Sequence, residues 1–122
     1  MRFIPYGHQS IDDDDVRSVI EVLKSDWLTT GPAVDQFELD LASYVGARHA
    51  VAVNSGTSAL DIAVQALDLP KGSEIITTPF TFAATSNAIL YNSHVPVFAD
   101  IDPATRNIHP DEIRRRITPK TR

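Results

Sequence analysis

The apolar positions of this chain change period partway along it. Between residues 12 and 24, Val16, Val19, Ile20 and Leu23 fall at i, i+3, i+4 and i+7, which predicts an amphipathic helix that packs by one stripe. Ser10 or Asp12 can cap it, and the run Asp12, Asp13, Asp14, Asp15 sets negative charge against the positive end of the helix dipole. Four carboxylates in a row also suggest a metal site, but adjacent helical residues point in different directions, and dipole compensation accounts for the run. A loop at 27–32 is marked by Gly31 and Pro32. Beyond it a second helix is predicted over 34–44, with Val34, Phe37, Leu41 and Tyr44 on one side and Gly46 ending it.

From there short β-rich runs alternate with helical ones. A buried strand is expected at 50–53, a turn at 54–56 and a helix over 57–67. After the break at Pro70, Lys71 and Gly72 come a strand at 74–78, a helix over 81–90 and a third strand at 95–99. A turn at 103–107 leads to a short helix over 110–117 that opens on Pro110. Strands alternating with helices of about ten residues imply crossover units, so the fold class is α/β, a parallel sheet with flanking helices.

The totals narrow the function classes. A chain of 122 residues suits one domain with a modest core, and 43% apolar with 22% charged residues is ordinary for a globular protein. The net charge of -5 gives no broad positive field, which argues against nucleic acid as a partner. Only the stretch from Arg114 onward is locally basic. With no cysteine, no long apolar run and no signal-peptide pattern at the start, a cytoplasmic protein without a membrane span is the simplest reading.

Three places can carry chemistry. Asn54, Ser55, Gly56, Thr57 and Ser58 lie where the first strand hands over to a helix, so backbone N–H groups point outward at the positive dipole end, where a phosphate binds well. The same residues also make a plain cap, with Ser55 or Thr57 on the helix and Gly56 in a left-handed turn, and on the residues alone that reading comes first. Neither dinucleotide nor Walker glycine spacing is present. Phe80 and Phe82 follow the second strand at its carboxyl end, where α/β sheets hold ligands; either ring suits a flat cofactor, and either suits the core. Asp100 and Asp102 follow the third strand as a carboxylate pair or as caps of the next turn. His8, His49, His94 and His109 lack metal-ligand spacing, so no metal site is assigned.

Taken in order, these segments resemble the DegT/DnrJ/StrS family of nucleotide-sugar aminotransferases. The resemblance rests on the start from Ile4 to Gly7, the loop from Trp27 to Pro32, the run from Val53 to Leu60, the run from Gly72 to Phe82, and the run from Asp100 to Pro103. It spans essentially the whole chain. It implies that residues 1–122 are the N-terminal portion of the large domain of a fold-type-I aminotransferase that uses pyridoxal 5'-phosphate, with active sites at a homodimer interface. On that resemblance Gly56, Thr57 and Ser58 match the loop that grips the cofactor phosphate, and Phe82 the aromatic stacked on the pyridine ring. Tyr6, Thr30 and Gly31, with Pro32, match a region near the sugar substrate. The implied reaction moves an amino group, with glutamate as donor, onto a keto-deoxysugar nucleotide such as a UDP-4-keto-6-deoxy-N-acetylhexosamine.

On the same resemblance, the family's covalent lysine and the aspartate paired with the pyridinium nitrogen are expected beyond Arg122. Lys24, Lys71 and Lys120 lack the context of that lysine, so no catalytic residue is assigned and the 122 residues by themselves are expected to be inactive. A sugar dehydratase of the same family, in which histidine replaces the lysine, and a non-catalytic binding module are the competing expectations.

Overall fold

The computed structural model describes residues 3–5 and 7–122. The chain divides into two compact units, residues 1–52 and 53–122.

The first unit holds helices α1 (Asp13–Lys24) and α2 (Pro32–Val45). Asp12 caps α1 through a reciprocal box: its carboxylate accepts the N–H groups of Asp14 and Asp15 at 2.9 and 3.0 Å, and its own N–H donates to Asp15 at 3.1 Å. The aspartate run is thus engaged in the helix start. Helix α2 begins two residues earlier than its apolar pattern, because Pro32 occupies a first-turn position where its missing N–H is no loss. It ends on Gly46 at φ 69°, whose N–H returns to the carbonyls of Ala42 and Ser43.

The stripe of α1 departs from expectation. Val16, Val19, Ile20 and Leu23 all remain exposed, and α1 has no buried residue. The segment 50–53 also departs, having no ladder partner among the described residues. A strand is defined by its neighbour, and local β-propensity cannot supply one. In place of a strand, Glu38 of α2 accepts the Ala52 N–H at 2.7 Å.

The second unit is the α/β part. It runs through α3 (Gly56–Gln65), β1 (Glu74–Thr77), α4 (Ala84–Tyr91), β2 (Val95–Phe98) and α5 (Pro110–Arg116). β1 and β2 pair in parallel, Glu74 opposite Val95 through Thr77 opposite Phe98, joined by α4 as crossover. Helix α4 packs on this sheet through Ala84, Ala88 and Ile89, which are buried, as is Ala99, fully, just after β2. The Ser73 and Thr77 carbonyls accept from Val95 and Ala99 on the β2 side. Glu74 uses the other edge, donating to Lys120 at 2.9 Å and accepting from Arg122 at 3.0 Å. Alternation leaves the N–H and C=O of Ile76 on that same edge, without a ladder partner among the described residues. No helix in the described residues is long and apolar enough to cross a membrane.

Candidate cofactor and substrate site

The chain reaches α3 through Asn54 and Ser55. Ser55, in extended conformation, caps the helix by accepting the Ser58 N–H at 3.1 Å. The Ser58 hydroxyl donates to Asn54 Oδ1 at 2.8 Å and lies 3.0 Å from the Ser55 hydroxyl. Asn54 and Ser58 therefore stiffen the turn. Gly56 is not in the left-handed conformation that a capping turn suggested; it is the first helical residue, and the left-handed glycines among the described residues are Gly46 and Gly72.

A Cβ at Gly56 would meet nothing within 4 Å, so its absence opens the space over the first turn. Among the described residues the N–H groups of Gly56 and Thr57 and the Thr57 hydroxyl have no hydrogen-bond partner. Helices α1 and α5 fill their first turns with carboxylates, whereas α3 has none there. Three outward donors, a positive dipole end and no competing negative charge suit a phosphate dianion.

The loop after β1 lies at the same edge. Helix α4 returns the chain from the carboxyl end of β1 to the amino end of β2, and α3 packs along α4 and leads to the amino end of β1. Both helices therefore start at the carboxyl edge. Phe82 lies there, 78% exposed, with its carbonyl accepting the Thr85 N–H at 3.0 Å. Its ring is outside the core of this unit, as is that of Phe80 at 61% exposed. Helix α4 starts at Ala84, three residues later than its propensity suggested, because residues 78–82 form the loop that carries this ring.

Thr30 and Gly31, which the resemblance matches to a region near the substrate, belong to the first unit. Thr30 at φ 44° and Gly31 line a cavity of about 410 Å³ together with Ser18, Glu21, Trp27 and Leu28. That volume is in the range of small-molecule clefts. Tyr6 lies outside the described residues. The structure thus brings Gly56, Thr57, Ser58 and Phe82 to one edge of the second unit, and Thr30 and Gly31 to one cleft of the first.

The remaining candidates are structural. Asp102 accepts the N–H groups of Ala104 and Thr105, both at 2.8 Å, and these bonds, the Thr105 one foremost, hold its carboxyl below the ordinary value of 3.8. Asp100 accepts the Ile101 N–H at 2.8 Å. His109 caps α5 by accepting the Asp111 N–H on Nδ1 at 3.1 Å, a role its lone position in sequence did not signal. Among the described residues no group of three or more His, Asp or Glu side chains is placed to hold a metal.

Open α/β sheets hold ligands outside the carboxyl ends of their strands, the edge at which the start of α3 and Phe82 lie. Residues 9–122 match the model of the DegT/DnrJ/EryC1/StrS aminotransferase family, and the chain belongs to that family. It is 47% identical over 120 residues to the spore coat polysaccharide biosynthesis protein SpsC of Bacillus subtilis. That match takes in 98% of this chain and 31% of SpsC. Among solved structures it is similar to Helicobacter pylori PseC, an aminotransferase involved in the biosynthesis of pseudoaminic acid, at 36% identity and a TM-score of 0.90 over 97% of this chain and 32% of that one. It is also similar to the putative sugar aminotransferase Spr1654 of Streptococcus pneumoniae in its PLP form, at 31% identity and a TM-score of 0.89 over 98% and 30% of the two chains. The chain thus spans about a third of the length of the relatives it matches.

Proposed function

We propose that these residues are the N-terminal portion of the large domain of a pyridoxal-phosphate-dependent sugar aminotransferase, and that they supply the anchor for the cofactor phosphate and one face of its ring pocket. The observation that carries this reading is the unpartnered donor set at the start of α3 within a family match covering residues 9–122. The Gly56 and Thr57 N–H groups and the Thr57 hydroxyl hold the phosphate, while Ser58, tied to Asn54, keeps the turn rigid. Phe82 packs on the ring. When bound, the cofactor supplies an electron sink for amino transfer. Thr30, Gly31 and Tyr6 contribute to the wall for the sugar nucleotide.

None of the three lysines serves as the covalent anchor. Lys71 and Lys120 line a cleft at the amino end of β1, about 10 Å of strand from the carboxyl edge, and Lys24 is in the last turn of α1. Borohydride reduction of the 122-residue chain with pyridoxal phosphate should label none of them stoichiometrically, and the chain alone should be inactive. The complete protein acts as a cytoplasmic homodimer on a keto-deoxysugar nucleotide, with glutamate as donor.

The test is amination of UDP-4-keto-6-deoxy-N-acetylhexosamine by the complete protein, with Thr57→Ala and Phe82→Ala as variants. Nitrogen transfer from glutamate, with cofactor retention weakened about fivefold or more in each variant, is expected. A deoxygenated product without nitrogen transfer would assign the dehydratase reaction instead. Wild-type retention in both variants would remove the site.

A further inference from the structure

Helix α3 presents the phosphate donors, yet little apolar packing fixes its position. It has no buried residue, and Leu60 and Ile62 are exposed. One side chain from another element reaches it. Asn92, at the end of α4, directs its amide nitrogen to Asp61 Oδ1 at 2.8 Å, to the Asp61 carbonyl at 3.2 Å, and to the Ala88 carbonyl at 2.9 Å. All three partners are acceptors, which fixes the amide orientation with nitrogen inward. Among the described residues this is the side-chain hydrogen bond that joins α3 to another element, and both partners are half-buried, where a charge-assisted bond is less screened by water.

The same corner is tied to the sheet. The Ser93 carbonyl accepts the Gly72 N–H at 2.9 Å, the His94 N–H donates to Ile89 at 3.0 Å, and Val95 donates to Ser73 at 2.9 Å. Asn92 thus links α3 to the point where α4, β1 and β2 are already locked together. Asp61 lies five residues along the helix from Gly56, about 7.5 Å of rise, so a tilt permitted at Asp61 moves the first-turn donors directly. Hydrogen bonds to a phosphate weaken steeply with misalignment.

We propose that Asn92 is a positioning residue that aims the first turn of α3 at the cofactor phosphate through Asp61. This rests on the reading of that turn as the phosphate anchor. In the sequence, an aspartate inside the apolar run of α3 and an asparagine after α4 gave no sign of the pairing, since 31 residues separate them.

The test uses the complete protein and compares equilibrium affinity for pyridoxal phosphate with that for pyridoxal, which lacks the phosphate. Asn92→Asp sets two carboxylates against each other and should lower the phosphate-to-pyridoxal affinity ratio about tenfold. The double variant Asp61→Asn with Asn92→Asp restores the amide-to-carboxylate bond with the roles exchanged but leaves the Asp61 and Ala88 carbonyls without this donor, and should recover part of that ratio. Should Asn92→Asp not fold, Asn92→Ala is read in the same way. A lower melting temperature with an unchanged ratio in the Asn92 variants would overturn the proposal, as would a double variant that recovers nothing. Thr57→Ala separates the two levels: if it leaves the ratio unchanged, the anchor itself is misplaced, whereas a loss in Thr57→Ala with none in the Asn92 variants removes Asn92 alone.

Discussion

A Cβ built on Gly31 would lie 2.7 Å from the Cβ of Trp27. Trp27 Cβ is the root of its side chain and not a flexible end, so the loop leaves no room for any residue but glycine at the start of α2. Trp27 is itself held by its N–H, which donates to Ser25 Oγ at 3.1 Å.

Gly31→Ala should therefore displace Trp27 or the start of α2, at a cost of about 1–3 kcal/mol typical of overpacking. Trp27 is the single tryptophan, so its fluorescence reports on this loop directly. A shifted emission maximum and a lower unfolding midpoint are expected, and wild-type values for both would show that the loop relaxes freely.

The turn after β2 should respond to acid. The Asp102 carboxyl is held below its ordinary value of 3.8 by the N–H groups of Thr105 and Ala104, with the Thr105 side chain and the His109 imidazole adding to the effect. A lowered folded value means that the contribution is complete above pH 3.8 and is lost as the pH falls from there through the folded value. Carbon-detected titration of Asp102 should give a midpoint below that of an unstructured aspartate. Asp102→Asn keeps the acceptor oxygen and should abolish the acid-dependent step while retaining the turn; an unaltered acid response in that variant would contradict the assignment.

Much of this was legible in sequence. The aspartate run, Pro32 and Gly46 act locally, so α1 and α2 could be located from caps and period alone, and the same holds for the parallel pair on either side of α4. Ser55 as a cap was legible for the same reason. The partner of a strand is not local, which is why Val51 and its neighbours have β character without a ladder. The Asn92 and Asp61 pair escaped notice on the same ground. Phe82 was ambiguous because an aromatic at a strand end has the same sequence signature whether it packs inward or faces outward; in this unit both Phe80 and Phe82 face outward.

Two features make the 122-residue chain prone to associate. The stripe of Val16, Val19, Ile20 and Leu23 is uncovered, and β1 offers the backbone of Ile76 along an open edge. Light scattering and thermal unfolding across a concentration series should show self-association with a concentration-dependent midpoint. A monomer at every concentration with one sharp, unchanging transition would mean that these surfaces are tolerated in water.

Gly56→Asp tests most directly whether the first turn of α3 holds a phosphate. The new side chain enters open space, and a carboxylate in the first turn favours the helix, so folding is retained while an anion is repelled. Equilibrium binding by the complete protein should show affinity for pyridoxal phosphate reduced about tenfold or more, with affinity for pyridoxal unchanged and the melting temperature equal or higher. Unchanged affinity for pyridoxal phosphate in a folded Gly56→Asp protein would contradict the account.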